Sequence, residues 1–260
     1  MTGTAIPLGP VLAAVLGLLI LIAAVVVRLG GLGHARPVVT AAVRAAVQLA
    51  AVSLLIAAVL GSWWWTALFV VLMALVAAAT SAGRITGAQA GRITRARAVR
   101  AVPWTATAIV AGAAPVLALL LGTRLVPAVP IAVVPIAGIL IGNAMTATSL
   151  AGRRALDELR ASRGEYEAAL ALGLPPRDAA LEITRPSAGQ ALVPTMDQTR
   201  TVGLVTLPGA FVGMLLGGAS PVQAGVTQLV VLVGLLAAQA ISVLIIVEVI
   251  AREYLAAHES

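Results

Sequence analysis

The chain has no cysteine, no lysine and only two histidines in 260 residues. Without cysteine there is no disulfide scaffold and no thiolate for a soft metal. Without lysine there is no P-loop, because that motif needs a lysine after its glycines to reach the phosphates. His34 and His258 fall in a loop and the tail, which argues against a buried zinc or haem centre. Catalysis and a resident cofactor are therefore not expected in this polypeptide. Charge is scarce as well: 17 arginines and 10 acidic residues make 10%, against roughly 25% in ordinary soluble domains. The apolar share is 60% and the mean hydropathy +1.05. A soluble domain of this size could not cover such a surface, so the soluble and disordered classes are excluded. The net charge of +7 does not indicate nucleic acid, because the arginines gather between long apolar runs. The composition is that of an all-α integral membrane protein.

A hydrocarbon core of about 30 Å takes about 20 helical residues to cross. Residues 5–27, 38–60, 63–82, 101–121 and 125–151 are runs of that order with at most one charge each, Arg44 being the exception inside the second. Residues 201–247 carry no charge at all, and a helix of that length would reach roughly 70 Å, so two crossings are expected. Gly217-Gly218-Ala219-Ser220-Pro221 is the turn between them, giving spans at 201–217 and 221–247. The expectation is seven spans in one transmembrane domain covering 1–260.

Arginine placement sets the expected orientation. With the N-terminus outside and the C-terminus cytoplasmic, fifteen arginines lie on inner segments, one (Arg124) outside and one (Arg44) within a span. Trp63-Trp64-Trp65 then sits at an outer interface, where indoles are favoured. A cleaved signal peptide is not expected, since Arg28 follows the first apolar run and does not precede it.

The longest inner segment, 152–198, is the most informative. Ser162-Arg163-Gly164-Glu165 has the spacing of a capping box. The helix it opens reaches about Leu172, with Gly173 suited to its end. Pro175-Pro176 allows a second helix, Arg177 to Thr184, closed before Pro186. Two short polar helices cannot bury a core of their own, so something is expected to dock on them.

Glu167-Ala168-Ala169, then Gly173, Ile183 and Pro186 at the spacing found here, resembles the EAA loop of ATP-binding-cassette permeases, although Arg185 stands where that pattern has leucine. The resemblance implies that Glu165, Glu167, Ala168, Ala169 and Gly173 belong to a coupling helix seated on an ATPase subunit. Val134-Pro135-Ile136-Ala137-Gly138 with Gly142-Asn143-Ala144-Met145 is similar to the FetB-type permeases. So are the stretches from Ala191 to Asp197 and from Thr201 to Gly209, with Ser220-Pro221, Gln228, Arg44 and Gln48-Leu49. What this resemblance implies is the membrane half of a bacterial plasma-membrane exporter, two copies with two ATPase subunits, the ATP and Mg held by those partners. The implied cargo is iron or another metal ion, and plant relatives linked to aluminium tolerance point to a sugar nucleotide instead. Ala210-Phe211 replaces a methionine pair common in the family, which weakens a soft-ligand reading of that bend. An ATPase-independent secondary transporter is the other alternative, but it calls for a charged relay within the spans.

Polar groups inside spans are costly and face a cavity or another helix. On this ground Arg44, Gln48, Asn143, Met145, Thr146, Asp197, Pro208, Gly209 and Gln228 are candidates for the substrate path. Asn143 could equally bridge two helices, Arg44 could snorkel to the inner surface, and Asp197 could act as a helix-terminal charge. Gln223, Gln228 and Gln239 are expected in interhelical hydrogen bonds, and Glu248 is four residues from Arg252. Gly138 and Gly142, and Gly209, Gly213 and Gly217, recur every four residues, the spacing that lets helix backbones touch. They are expected to pack spans five and six together or across a dimer axis. Gly83, Gly87 and Gly91 repeat the spacing in what reads as an inner connector. Whether any residue binds a metal directly is left open.

Overall fold

The computed structural model describes residues 9–33, 35–87 and 95–256; His34, His258 and Gly91 lie outside them. The regular structure of the described residues is helical, with one isolated bridge between Val202 and Thr206. Among the described residues six helices are long and apolar enough to cross a membrane.

Two of them, α1 (Pro10–Leu29) and α2 (Ala35–Leu60), form a compact unit within Met1–Gly61 and pack against each other as a hairpin. Pro10 starts α1, where its missing N–H costs nothing. Gly31 and Gly33 take φ of 65° and 70° in the connection, a region that side-chain-bearing residues avoid.

The second unit, Ser62–Ser260, contains the core. Its long helices are α3 (Trp63–Thr86), α4 (Arg95–Gly122), α5 (Pro130–Ala161) and α10 (Pro221–Ala256). Ser62 caps α3 by accepting from the Trp64 N–H at 3.3 Å. Helices α4 and α5 pack on each other and each packs on both α3 and α10. Small residues make the close seams: Ala77, Ala78, Ser81 and Ala82 are buried on one face of α3. Thr105 Oγ1 donates to the Ala78 carbonyl at 2.9 Å, and Ser149 Oγ to Ser81 Oγ at 3.0 Å. Such bonds contribute on average about 0.6 kcal/mol each in a membrane. Helix seams in lipid depend on close packing more than on hydrophobicity.

Between α5 and α10 the chain makes five short elements: α6 (Arg163–Ala171), α7 (Pro176–Gly189), a 3-10 turn (Gln190–Leu192), α8 (Val193–Thr201) and α9 (Gly209–Leu216). Here four expectations are corrected. First, 201–217 is not one spanning helix. Thr201 ends α8, residues 202–208 are irregular, and α9 has only 8 residues, about 12 Å. Gly203 at φ 85° turns the backbone, and Pro208 then starts α9 as its N-cap. The 3-10 turn, α8 and α9 all pack along α10, so the segment that pairs with α10 is discontinuous. The turn at Gly217–Pro221 is where it was expected, with Gly218 at φ 89°.

Second, the helix that contains the expected fifth span, 125–151, begins only at Pro130 and does not stop at Ala151. Helix α5 runs 32 residues to Ala161 and carries the chain past the apolar run. Likewise α3 continues through a buried Gly83 to Thr86, so Gly83 packs inside a helix and Gly87, at φ 70°, acts as the stop. Third, Ser162 stands at the N-cap of α6 but its side chain does not cap it: the hydroxyl donates back to Glu158 Oε1 at 3.0 Å and the N–H to the Glu158 carbonyl. One residue joins α5 to α6, and it serves the helix it leaves. Fourth, α7 runs through Pro186 to Gly189, so 176–201 is nearly continuous helix.

The segment between α5 and α10 also buries a core, contrary to expectation. Tyr166 of α6 and Ala179, Ala180, Leu181, Thr184 and Ala188 of α7 are buried against Ala151, Ala155 and Leu159 of α5 and Ile246, Val247, Ile250 and Ala251 of α10. The extensions of α5 and α10 supply the surface that two isolated short helices lack. A second core lies in the bundle proper, built on Ile109, Leu140, Ala144, Leu235 and Ala238.

Candidate functional site

Helix α5 has one face that the second unit leaves open. Pro135, Thr146 and Arg153 are exposed there, with Gly142 and Asn143 half-buried beside them, spaced by the sevens and fours of one helix face. Asn143 sits at the edge of this face where α5 meets α10. Its Nδ2 donates to the Ile139 carbonyl at 2.9 Å, and its Oδ1 accepts from Gln239 Nε2 of α10 at 3.4 Å. Gln239 is 3% exposed, and its Oε1 has no partner among the described residues. Gln228 Oε1 and Thr148 Oγ1 are buried and unpartnered in the same way. Eleven residues separate Gln228 from Gln239, so both lie on nearly the same side of α10. Unpaired buried polar oxygens cost about 1–3 kcal/mol each. The three lie on the two helices that carry Asn143 and Gln239, at separate positions along them.

The other path candidates are dispersed. Thr146 bonds its own helix, donating to the Gly142 carbonyl at 3.0 Å. Met145 packs partly against the bundle core. Asp197 is exposed on α8 and pairs with Arg200 at 3.2 Å. Pro208 and Gly209 open α9. Arg44 and Gln48 are exposed on α2, in the first unit. Of the three glutamines expected between helices, Gln239 does bond another helix. Gln223 instead closes a reciprocal cap with Ser220 at the start of α10. Among the described residues no three His, Cys, Asp or Glu side chains come together in a way that could hold a metal ion.

The glycines divide into two groups. A Cβ on Gly138 would meet Met73 of α3 at 2.9 Å, a close seam. One on Gly142, Gly209 or Gly213 would meet nothing within 4 Å, and one on Gly217 only carbonyls of its own helix. The 209–217 stripe therefore does not pack on α5 within this chain. The tightest seams lie at Gly112 of α4 against Ser242 and Ala238 of α10, and at Gly152 of α5 against Ile85 of α3. Neither was singled out, because neither belongs to a glycine repeat. The small Ala238 four residues before Ser242 was the available signal.

At the arginine-rich end, α6 and α7 form a corner. Gly173 takes φ 89°, donating to the Leu170 carbonyl while Leu174 donates to that of Ala169, the doubled closure that stops a helix with glycine. The corner projects apolar side chains: Leu172 is 83% exposed and Leu174 36%. Glu165, Glu167 and Ala168 are exposed on α6, and Ala169 packs inward. Glu167 pairs with Arg163 at 3.0 Å. Behind this corner Arg177 binds Glu248 of α10 through two bonds of 2.6 and 2.7 Å, and Arg252 adds a third at 2.8 Å. The hydrogen bond to Glu248 holds the Arg177 guanidinium above its ordinary pKa. Arg154 of α5 donates to Gln190 at 3.0 Å. The corner is thus fixed to both long helices. The i,i+4 pair of Glu248 with Arg252 was legible in the sequence, whereas the bond across 71 residues to Arg177 was not.

These features define a multi-pass α-helical membrane protein with a braced helical corner at its arginine-rich end. The model of the uncharacterised protein family UPF0014 matches residues 11–255, and the chain belongs to that family. It is 42% identical over 137 residues to UPF0014 membrane protein STAR2 of Oryza sativa subsp. japonica, covering 53% of this chain and 48% of that protein. It is 41% identical over 124 residues to protein ALUMINUM SENSITIVE 3 of Arabidopsis thaliana, 48% and 45% of the two chains. Against the probable iron export permease protein FetB of Escherichia coli K12 the identity is 36% over 138 residues, 53% of each. The chain spans about half the length of the curated relatives it matches. No solved structure matches.

Proposed function

We propose that this chain is the membrane-embedded permease of an ATP-binding-cassette exporter in a bacterial plasma membrane. Two copies would work with two separate ATPase subunits that hold the ATP and Mg. The observation that carries the reading is the α6–α7 corner: an exposed apolar tip, Leu172 and Leu174, on a frame tied to α10 by Arg177–Glu248. A docking knob that must transmit motion needs both an apolar contact and a stiff link to the spanning helices. The open face of α5, with Asn143 backed by Gln239, supports a path for cargo through the bundle.

The cargo we favour is iron or another metal ion, by likeness to the relative named an iron export permease. Neutral oxygens such as those of Asn143 and Gln239 would hold a hard or chelated cation weakly, which suits release. A second reading, export of an organic solute such as a sugar nucleotide, is favoured by the same amides, which serve hydrogen-bonding solutes equally well.

Copurification tests the coupling reading. A tagged chain should bring down an ATPase subunit. Gly173→Leu, which forces a side chain into the left-handed region, and Glu167→Arg should lower that association and transport while membrane insertion stays intact. Normal association in both variants would remove the corner from the docking role. For the cargo, deleting the permease should raise iron sensitivity, and unchanged sensitivity would favour the organic solute.

A further inference from the structure

Beside the Arg177–Glu248 tie lies a hollow of about 480 Å³ that transport and coupling leave unused. Its polar rim is Arg177 and Arg185 of α7 with Glu248 and Arg252 of α10. Three guanidinium groups thus face one carboxylate. Arg177 is satisfied by Glu248 and, on its outer side, by Asp178 at 2.8 Å. Arg252 spends only its Nε on Glu248, and among the described residues both of its terminal nitrogens are left as donors. Arg185 has no carboxylate within ion-pair distance among the described residues. The rim therefore holds two arginines, on different helices, with donors to spare.

The rest of the hollow is apolar. Leu244, 62% exposed, with Ile245 and Val249 forms a wall along α10, and Trp104 of α4, 45% exposed, closes the other side. This wall continues the lipid-facing stripe of α10, and Glu248 is the first charge that the helix meets after its long apolar run. The hollow thus straddles the level where hydrocarbon gives way to headgroups, the level that an indole also prefers. Arg100, one turn from Trp104 on the same face of α4, adds a further positive charge on the headgroup side. A soluble anion would use the rim and leave the wall bare. A molecule with a phosphate at one end and an acyl chain at the other fits both, and basic pockets between spanning helices bind such lipids.

We propose that this hollow is a binding site for one anionic phospholipid, whose phosphate bridges Arg185 and Arg252 and whose acyl chain lies along Leu244, Ile245 and Val249. The bound lipid is a second tie between α7 and α10, parallel to Arg177–Glu248. The stiffness of the α6–α7 corner then depends on the membrane's anionic lipid content. The site is independent of what is transported, and its test does not require an ATPase.

The full chain is extracted from mixed phosphatidylcholine and phosphatidylglycerol vesicles and examined by native mass spectrometry. One phosphatidylglycerol should be retained in preference to phosphatidylcholine, with roughly a fivefold loss of preference for each arginine neutralised. Arg185→Gln tests this without breaking an ion pair, and Arg185→Gln with Arg252→Gln should remove the preference. In parallel, with Trp63, Trp64 and Trp65 replaced by Phe, brominated phosphatidylglycerol should quench Trp104 more than brominated phosphatidylcholine does, and Arg185→Gln should reduce the difference. Equal retention of the two lipids, retention unchanged in the arginine variants, or full displacement of the lipid by inorganic phosphate would each overturn the proposal.

Discussion

Helices α5 and α10 contribute to both cores and differ on the side each turns away from them. On α10 the open residues are Val222, Val226, Leu229, Val233, Ala237, Ala240 and Leu244, a stripe no different in chemistry from lipid. On α5 they are Ile131, Pro135, Thr146 and Arg153 with Gly142 and Asn143 alongside, apolar at the start of the helix and polar from its middle onward. Both helices are long enough to span, so the contrast is one of face and not of composition. Acyl chains suit the first stripe. The second sets an amide and a hydroxyl, Asn143 and Thr146, at the middle of the helix and a guanidinium, Arg153, just past the apolar run, a face less suited to hydrocarbon than the first. A water-lined path or a second copy of the chain suits it better.

The largest expected effect comes from placing one charge on each stripe. Val233→Arg, near the middle of α10 and 54% exposed, should cost about 2.5–3.5 kcal/mol of insertion free energy. It should appear as a marked loss of folded protein in the membrane. Thr146→Arg, at the middle of α5, should insert and accumulate much more nearly as the parent does. Equal losses from the two would erase the distinction between the faces.

Glycine sharpens the comparison at a smaller scale. Gly112→Ala puts a methyl group into Ser242 and the Ala238 backbone, so α4 and α10 must part, and overpacking of this kind costs about 1–3 kcal/mol. Gly142→Ala, on the open face of α5, meets nothing within 4 Å and should gain about 0.5–1 kcal/mol from helix propensity. Thermal unfolding in detergent should move in opposite directions for the two. A loss at Gly142 in the membrane but not in detergent would indicate a partner seated on that face.

The six continuous spanning helices were readable in the sequence, because a backbone crossing hydrocarbon must satisfy its own hydrogen bonds and a long uncharged run does so as helix. The break at 202–208 left one trace in the sequence, Pro208, which frees a carbonyl within the run; its extent stayed hidden, because hydropathy does not register a left-handed Gly203. Local chemistry was legible where its partner is one turn away, as with Glu248 and Arg252. It misled at Ser162, where two helices compete for one hydroxyl and the earlier one takes it. Pro186 looked like a stop, but burial of Ala179, Ala180, Leu181 and Ala188 outweighs the lost backbone bond. Of the candidate path residues, the structure joins Asn143 to Gln239 across 96 positions. Each was conspicuous alone as an amide in an apolar run, and nothing in the sequence paired them.

That pair supports the finest prediction. Gln239 is almost fully buried, its Oε1 is unpartnered, and its one side-chain bond, at 3.4 Å, is long. Leucine at this position would lose a weak interhelical bond, about 0.6 kcal/mol. It would also remove an unsatisfied oxygen whose burial costs about 1–3 kcal/mol. The two terms oppose each other, and the second is the larger. Gln239→Leu should therefore leave the unfolding temperature unchanged or slightly raised. A residue kept only for structure would then have no reason to be glutamine. If the amide serves the open face of α5 by orienting Asn143, the same substitution should abolish transport with the protein intact. Asn143→Leu, which deletes the other half of the bond, should do likewise. A clear drop in unfolding temperature for Gln239→Leu with transport retained would assign the pair to helix packing alone. The polar stripe of α5 would then belong to an interface between copies of the chain and not to a path for cargo.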